Sequence, residues 1–323
     1  MKTIKPQYAF LILFFLGSLK VKAQQDVLFT QFVFNGLEIN PGYAGYKEVT
    51  NLNLTYRSQW IGLKGAPQSI NVSIDGLTAN EKVGLGFQVL QDKIGAQANL
   101  SSYFSYAYRL IMGKYARLSF GLAAGLNQYS IDGNQLFTID PDPSSNTLTQ
   151  RLIQPDLKAG IYYADDKFFM AVSATNMLSN LESYNPSYLV IKTARHYYFQ
   201  TGGLIGLGPT LQLKPSIIIR EDFNAPMNLD LNLLLLLNQQ LWIGSTYRTG
   251  INLGANSIQN KNLSSNDSFS FILEYYINDR FRMGYSYDYS LSSISNISNG
   301  SHELSIGYTF FSKHPHLACP RFF

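Results

Sequence analysis

Leu118-Ser-Phe-Gly-Leu-Ala-Ala-Gly-Leu-Asn127 is the stretch on which the fold turns. As an extended strand it places Leu118, Phe120, Leu122, Ala124 and Leu126 on one face, and Ser119, Gly121, Ala123, Gly125 and Asn127 on the other. A helix would scatter both sets. The same period sets Phe281, Met283, Tyr285, Tyr287 and Tyr289 against Arg282, Gly284, Ser286, Asp288 and Ser290. It recurs in Leu304, Ile306, Tyr308 and Phe310, in Ile70, Val72 and Ile74, and in Val83, Leu85, Phe87 and Val89.

Counting such runs predicts about fourteen strands, an even number of the kind found in single-chain outer-membrane barrels. They fall near 50–60, 68–76, 83–92, 97–110, 115–129, 156–164, 168–176, 195–207, 210–221, 228–237, 241–249, 268–277, 281–289 and 301–311. Connectors after even strands are tight and carry turn residues, such as Asp165, Asp166 and Lys167, or Asn278, Asp279 and Arg280. Those after most odd strands are longer, notably 131–155, 177–194 and 250–267. Membrane barrels keep short turns in the periplasm and long loops outside, so the expectation is an all-β, closed antiparallel transmembrane barrel with both termini periplasmic.

Charged residues make up 14% of the chain, whereas soluble domains carry roughly 25%. Tyr and Phe number 22 and 21, enough for aromatic girdles at two membrane interfaces. The soluble alternative is a secreted β-sandwich, which alternates too. More charge and shorter strands would be expected of it. In hydrocarbon no water satisfies a backbone amide, so the segment ending at Phe311 must pair with the one starting near Thr50. The inward face is rich in Gly, Ser and Asn, which either leaves space or packs something small.

The first 23 residues read as a cleaved export signal. Lys2 and Lys5 precede an apolar core at 9–16, and Val21-Lys-Ala23 is a small-residue cleavage site, so the mature chain is expected to begin at Gln24. Loss of Lys2, Lys5, Lys20 and Lys22 brings the formal charge from +4 to zero, twenty-one bases against twenty-one acids. Basicity therefore gives no case for nucleic acid. The leader is too short for a helical span of ~20 residues. The expected divisions are a signal peptide (1–23), a periplasmic N-terminal segment (24–49), an outer-membrane barrel (50–311) and a periplasmic C-terminal tail (312–323).

Several blocks carry identity. Phe29-Thr-Gln-Phe-Val-Phe-Asn-Gly-Leu-Glu-Ile-Asn-Pro-Gly-Tyr-Ala-Gly45 is followed by Tyr56-Arg-Ser-Gln-Trp60, Gly65-Ala-Pro-Gln68 and Asp92-Lys-Ile-Gly95. Ser105-Tyr-Ala-Tyr-Arg109, Asn127-Gln-Tyr129, Tyr287-Asp-Tyr289, Gly300-Ser-His-Glu-Leu304 and Cys319-Pro-Arg-Phe-Phe323 continue the series. Over nearly the whole mature chain this resembles the PorP/SprF family of outer-membrane proteins of type IX secretion and gliding motility. Gly36 departs from it, since the family usually has proline after the asparagine. The resemblance implies an accessory barrel rather than a catalyst. It also implies partners: for one branch periplasmic type IX components including a peptidoglycan-binding protein, for the other an exported adhesin-like cargo. These motifs do not choose the branch.

The residues themselves point to interaction at both ends. Phe29, Phe32, Phe34, Asn40, Pro41 and Tyr43 in the N-terminal segment, and Pro320, Arg321, Phe322 and Phe323 in the tail, make segments more apolar and aromatic than an idle terminus needs. They either fill the lumen, the preferred reading for 29–43, or dock a partner, the preferred reading for the tail. Trp60, Gly65 and Pro67 on the first outer loop complete the candidates, with an interfacial girdle as the other role for Trp60. No catalytic, cofactor-binding or metal-binding residues are assigned. Ser301, His302 and Glu303 alternate sides and cannot converge. His314, His316 and Cys319 lack the spacing of a metal site. Asp140, Asp142, Ser144 and Asn146 fail as a calcium loop, with Ser145 in the glycine place and Arg151 in the glutamate place. The expected function is an outer-membrane accessory of protein export, embedded in lipid. The alternative is a passive channel lined by charges such as Arg57, Arg109, Lys214, Arg220, Asp230, Arg282 and Asp288.

Overall fold

The alternating runs become antiparallel strands in the computed structural model, which describes residues 27, 29–135, 149–179, 194–223, 225–251 and 266–310. In chain order they are β1 (Thr50–Ser58), β2 (Gln68–Leu77), β3 (Val83–Ile94), β4 (Gln97–Ile111), β5 (Arg117–Ile131), β6 (Gln150–Ala164) and β7 (Phe168–Thr175). There follow β8 (His196–Gly203), β9 (Ile205–Gly206), β10 (Leu211–Glu221), β11 (Met227–Leu237), β12 (Leu241–Ile251), β13 (Asn266–Tyr276), β14 (Phe281–Ser290) and β15 (Ser301–Phe310). The dipeptide β9 continues β8 along the same neighbour, β10, so the wall has fourteen staves.

With β8 and β9 counted as one stave, each stave pairs with the next in sequence, and the ring closes where β15 meets β1. That register runs from Thr50 opposite Phe310 to Ser58 opposite His302, the pairing that a sheet in hydrocarbon requires. β6 begins at Gln150 instead of 156. The expected start treats Pro155 as the loop's end, whereas Pro155 lies inside the ladder opposite Leu126 and Gln150 pairs with Ile131. The even connectors are tight, as at 238–240, where Asn238 and Gln239 both take positive φ (50° and 57°). These turns share one end of the barrel, with residues 112–116 and 165–167. The opposite, long-loop end carries 59–67 and 291–300, together with the two-residue turn Gly95-Ala96.

Alternation sorts the side chains as the period demands. Phe120, Leu122, Ala124 and Leu126 point outward while Ser119, Gly121, Ala123 and Asn127 are buried in the lumen. Leu122 is 67% exposed and Phe104 54%, part of an apolar belt that continues around the ring. Such a belt needs lipid for its solvent. Among the described residues no helix is long and apolar enough to cross a membrane.

The N-terminal segment's two readings separate here: its described residues 29–49 lie inside the lumen, nearly all buried, which is the preferred reading for 29–43 and not the periplasmic placement of 24–49. Their aromatic side chains leave water by packing against the wall, and the small inward residues of the strands leave them the room.

Candidate functional site

The segment inside the barrel forms a plug without strand or α-helix. Three 3-10 turns, Gln31–Phe34, Gly36–Glu38 and Pro41–Tyr43, fold it into a wad. The third starts from a capping asparagine followed by proline, an arrangement favoured at helical N-termini. The Gly42 N–H donates to Asn40 Oδ1 at 2.8 Å. Asn40 Nδ2 donates onward to the Ile161 and Val172 carbonyls at 3.1 and 3.2 Å, tying the turn to β6 and β7. Gly36 tucks beneath the Tyr43 ring.

The wall is cut to receive the plug. A Cβ on Gly84 would strike the Ala44 carbonyl, and one on Gly121 would strike the Pro41 and Gly42 backbone. Backbone cannot step aside as a flexible side chain can, so both positions require glycine. Toward the short-turn end an apolar cluster packs the plug. Phe34 packs against Trp242 with centroids 6.3 Å apart, beside Leu234, Leu236 and Ile272. Tyr43 meets Tyr162 edge-on at 5.4 Å.

Toward the long-loop end the plug is held by charge. Arg57 pairs with Asp288 at 2.5 Å and Glu303 at 3.0 Å, all three nearly inaccessible. The Thr30 and Gln31 N–H groups each donate to Glu303 at 2.8 Å, and the Thr30 hydroxyl donates to Asp288 at 2.8 Å. Asp230 is flanked by Arg220 at 2.8 Å and Arg248 at 3.0 Å. Nearer the short-turn end, Arg282, the second residue of β14, pairs with Glu274 at 3.4 Å and donates to Asn53. At the short-turn mouth Glu48 takes Arg109 at 2.8 Å. Buried charges of this kind are tolerated only when paired, and removing one partner costs about 3–5 kcal/mol.

At the long-loop end a vestibule of about 130 Å³ remains, floored by Glu38 and Ile39 and walled by Gln88, Tyr103, Asn127, Lys158 and Tyr198. Lys158 Nζ stands 4.0 Å over the Tyr103 ring, and Tyr103 donates to Asp156 at 2.8 Å. Val27 borders the same space. On the rim, Asp132 accepts from the Gln135 side chain and the Asn134 N–H, which hold its carboxyl below the ordinary range.

The structure thus gathers Phe29, Phe32, Phe34, Asn40, Pro41 and Tyr43 in the lumen, all buried. Trp60, half-buried, exposed Gly65 and buried Pro67 lie instead on the 59–67 loop at the long-loop mouth. That loop is knitted to its neighbours: the Trp60 N–H donates to Ser301 Oγ at 3.2 Å, Ile61 to the Gly300 carbonyl at 2.8 Å and Gly95 to the Gly65 carbonyl at 3.0 Å. Pro320, Arg321, Phe322 and Phe323 lie outside the described residues, as do His314, His316, Cys319 and 140–146. Ser301 and Glu303 face inward, while the His302 ring turns to the Tyr285 hydroxyl at 2.7 Å, so the three do not converge. Among the described residues no group of three metal-binding side chains occurs. The ion clusters and the apolar floor of the lumen escaped sequence reading. The floor had a signal, because Leu233 to Leu237 is apolar on both faces, as a strand covered on both sides should be.

The model of the family described as "Type IX secretion system membrane protein PorP/SprF" matches residues 21–308. No curated protein matches. Among solved structures, the CymD monoaromatic hydrocarbon channel aligns at TM-score 0.51 and 12% identity, over 87% of this chain and 93% of its own. Acinetobacter baumannii Omp33 aligns at 0.46 and 9%, over 82% and 100%, and a Pseudomonas aeruginosa FadL homologue at 0.45 and 10%, over 84% and 93%. At these identities the likeness concerns fold alone.

Proposed function

The chain belongs to the PorP/SprF family of type IX secretion system membrane proteins, and from that membership and the filled lumen we propose that it is a non-enzymatic accessory barrel of outer-membrane protein export. Its long-loop face binds the exported surface protein, and its short-turn face, with the C-terminal tail, engages periplasmic machinery. The observation that carries this reading is the plug. A barrel whose interior is occupied by its own chain, held by Arg57, Asp288 and Glu303 and by the Phe34 and Trp242 contact, has little use as a conduit. What it offers a partner is its two faces. The knitted 59–67 loop supports the outer role, since a loop fixed to both neighbours presents a preformed surface.

A passive channel is the second reading, and it needs the plug to leave. The vestibule would then be the outer half of a pore. The two readings separate in one preparation of the full-length protein from its native outer membrane. Crosslinking before extraction, followed by identification of the captured proteins, is expected to recover type IX components, with either a peptidoglycan-binding protein or an adhesin-like cargo. Planar-bilayer recording of the same material is expected to show no steady conductance. Steady conductance with no captured export component would overturn the proposal in favour of the channel.

A further inference from the structure

We infer that the polypeptide runs once through its own barrel, so that its processed amino end stands at the long-loop mouth while its carboxyl end leaves at the short-turn mouth. This replaces the expectation of two periplasmic termini. The inference rests on the path of the plug and is independent of the export role.

The path can be followed by its neighbours. Val27, partly exposed, borders the vestibule with Ile94, Gln97, Ser130 and Asn176, residues at or just beyond the long-loop ends of β3, β4, β5 and β7. Thr30 is level with Asp288 and Glu303, each two residues from the long-loop end of its strand, Ser290 and Ser301. The chain next descends to Phe34 against Trp242, which is the second residue of β12 at the short-turn end. It rises again to Glu38, whose carbonyl accepts from Lys158 midway along β6. Finally it drops through Gly45, whose N–H donates to Asp75 at 2.9 Å, to Glu48 beside Arg109 and the start of β5 at Arg117. From there β1 climbs the wall.

Val27 and Glu48 therefore mark opposite mouths. An end that only dipped into the lumen from the short-turn side would keep both near one mouth, and Thr30 could not reach Glu303. At the other terminus β15 ends at Phe310 opposite Thr50, so the chain beyond it starts from the short-turn mouth. Each side of the membrane is thus offered one end of the polypeptide.

Single cysteines read this topology directly, because the sequence holds only Cys319. In a Cys319→Ser background, Val27→Cys is compared with Gln97→Cys at the long-loop mouth and Gly113→Cys in a short turn, where a Cβ meets open space. The unaltered chain reports through Cys319 itself. Intact cells are treated with a membrane-impermeant maleimide, then again after the outer membrane is permeabilised, and unboiled gel mobility confirms that each barrel is folded. The Val27→Cys and Gln97→Cys variants are expected to label fully on intact cells, and Gly113→Cys and the unaltered chain only after permeabilisation. If the thiol at position 27 sorts with the one at position 113, or labels only on denaturation, the threaded path is wrong. If the position 97 and position 113 thiols exchange places while the one at position 27 follows position 97, the barrel's orientation is inverted and the assignment of the ends to sides is overturned. In the native-membrane preparation described above, failure to capture export components would count against the export role and leave these labels unchanged.

Discussion

The Thr30 N–H donates to the Glu303 carboxylate at 2.8 Å, joining the first turn of the plug to the last strand of the barrel across 273 positions of sequence. Glu303 also accepts from Gln31 and pairs with Arg57, which in turn holds Asp288. One guanidinium thus bridges two buried acids that between them grip the plug. Arg57→Met strands both carboxylates, at a cost of about 3–5 kcal/mol. The expected outcome is intermittent conductance in planar bilayers and a lower unfolding midpoint. The triple variant Arg57→Met, Asp288→Asn, Glu303→Gln removes the stranded charge and should recover much of the midpoint. If the single variant stays silent and as stable as the parent, the cluster is not the plug's anchor.

Gly121 tests the plug by shape alone. A valine there drives its side chain into the Pro41 and Gly42 backbone, which cannot yield without the turn leaving its place. Gly121→Val should therefore open a steady conductance, while folded mobility on unboiled gels persists because the β4, β5 and β6 ladders are untouched. Gly113→Val, made where nothing lies near, should do neither. A silent Gly121→Val barrel would mean that the plug's third turn does not occlude the lumen.

How much of this was legible in the sequence depends on the range of the information. Strand period is local, so Leu118 to Asn127 disclosed both its faces, whereas Leu233 to Leu237, apolar on both, did not. The small inward residues left open whether the lumen held space or packing. Residues 29–49 have no period, and their course is set by contacts such as Asn40 with β6 and β7, more than 120 positions away. Charge clustering was hidden for a related reason. Arg220, Asp230 and Arg248 look scattered until antiparallel register brings β10, β11 and β12 side by side, with Asp230 opposite Arg248. Arg57 and Asp288 meet only because the ring closes through β15.

The outward face makes a claim about solvent that a single charge can test. Leu122 lies within the apolar belt and is 67% exposed, whereas Tyr115 stands in the short turn that leads into β5. If acyl chains surround the belt, Leu122→Arg should lower stability in lipid vesicles by about 2–4 kcal/mol and Tyr115→Arg by about 0–1. Reversible urea unfolding in vesicles measures both. Equal costs at the two positions would mean that water reaches Leu122.

The C-terminal tail follows the last closing pair of the ring, and that makes its proposed role separable from folding. Phe310 completes the ladder with Thr50, so every backbone group needed for closure lies upstream of Ser312. A chain ending at Phe311 should insert, keep its folded mobility on unboiled gels and remain silent in planar bilayers. Its losses should appear in capture: the periplasmic proteins recovered with the full chain should disappear, while any cargo held by the 59–67 loop should remain. The aromatic pair Phe322 and Phe323 narrows the test, because replacing both by serine removes apolar surface and leaves the tail's length and charge unchanged. That variant is expected to lose the same proteins as the truncation. If truncated and full-length chains capture an identical set, the tail is not the docking element, and the short turns themselves must supply the contact.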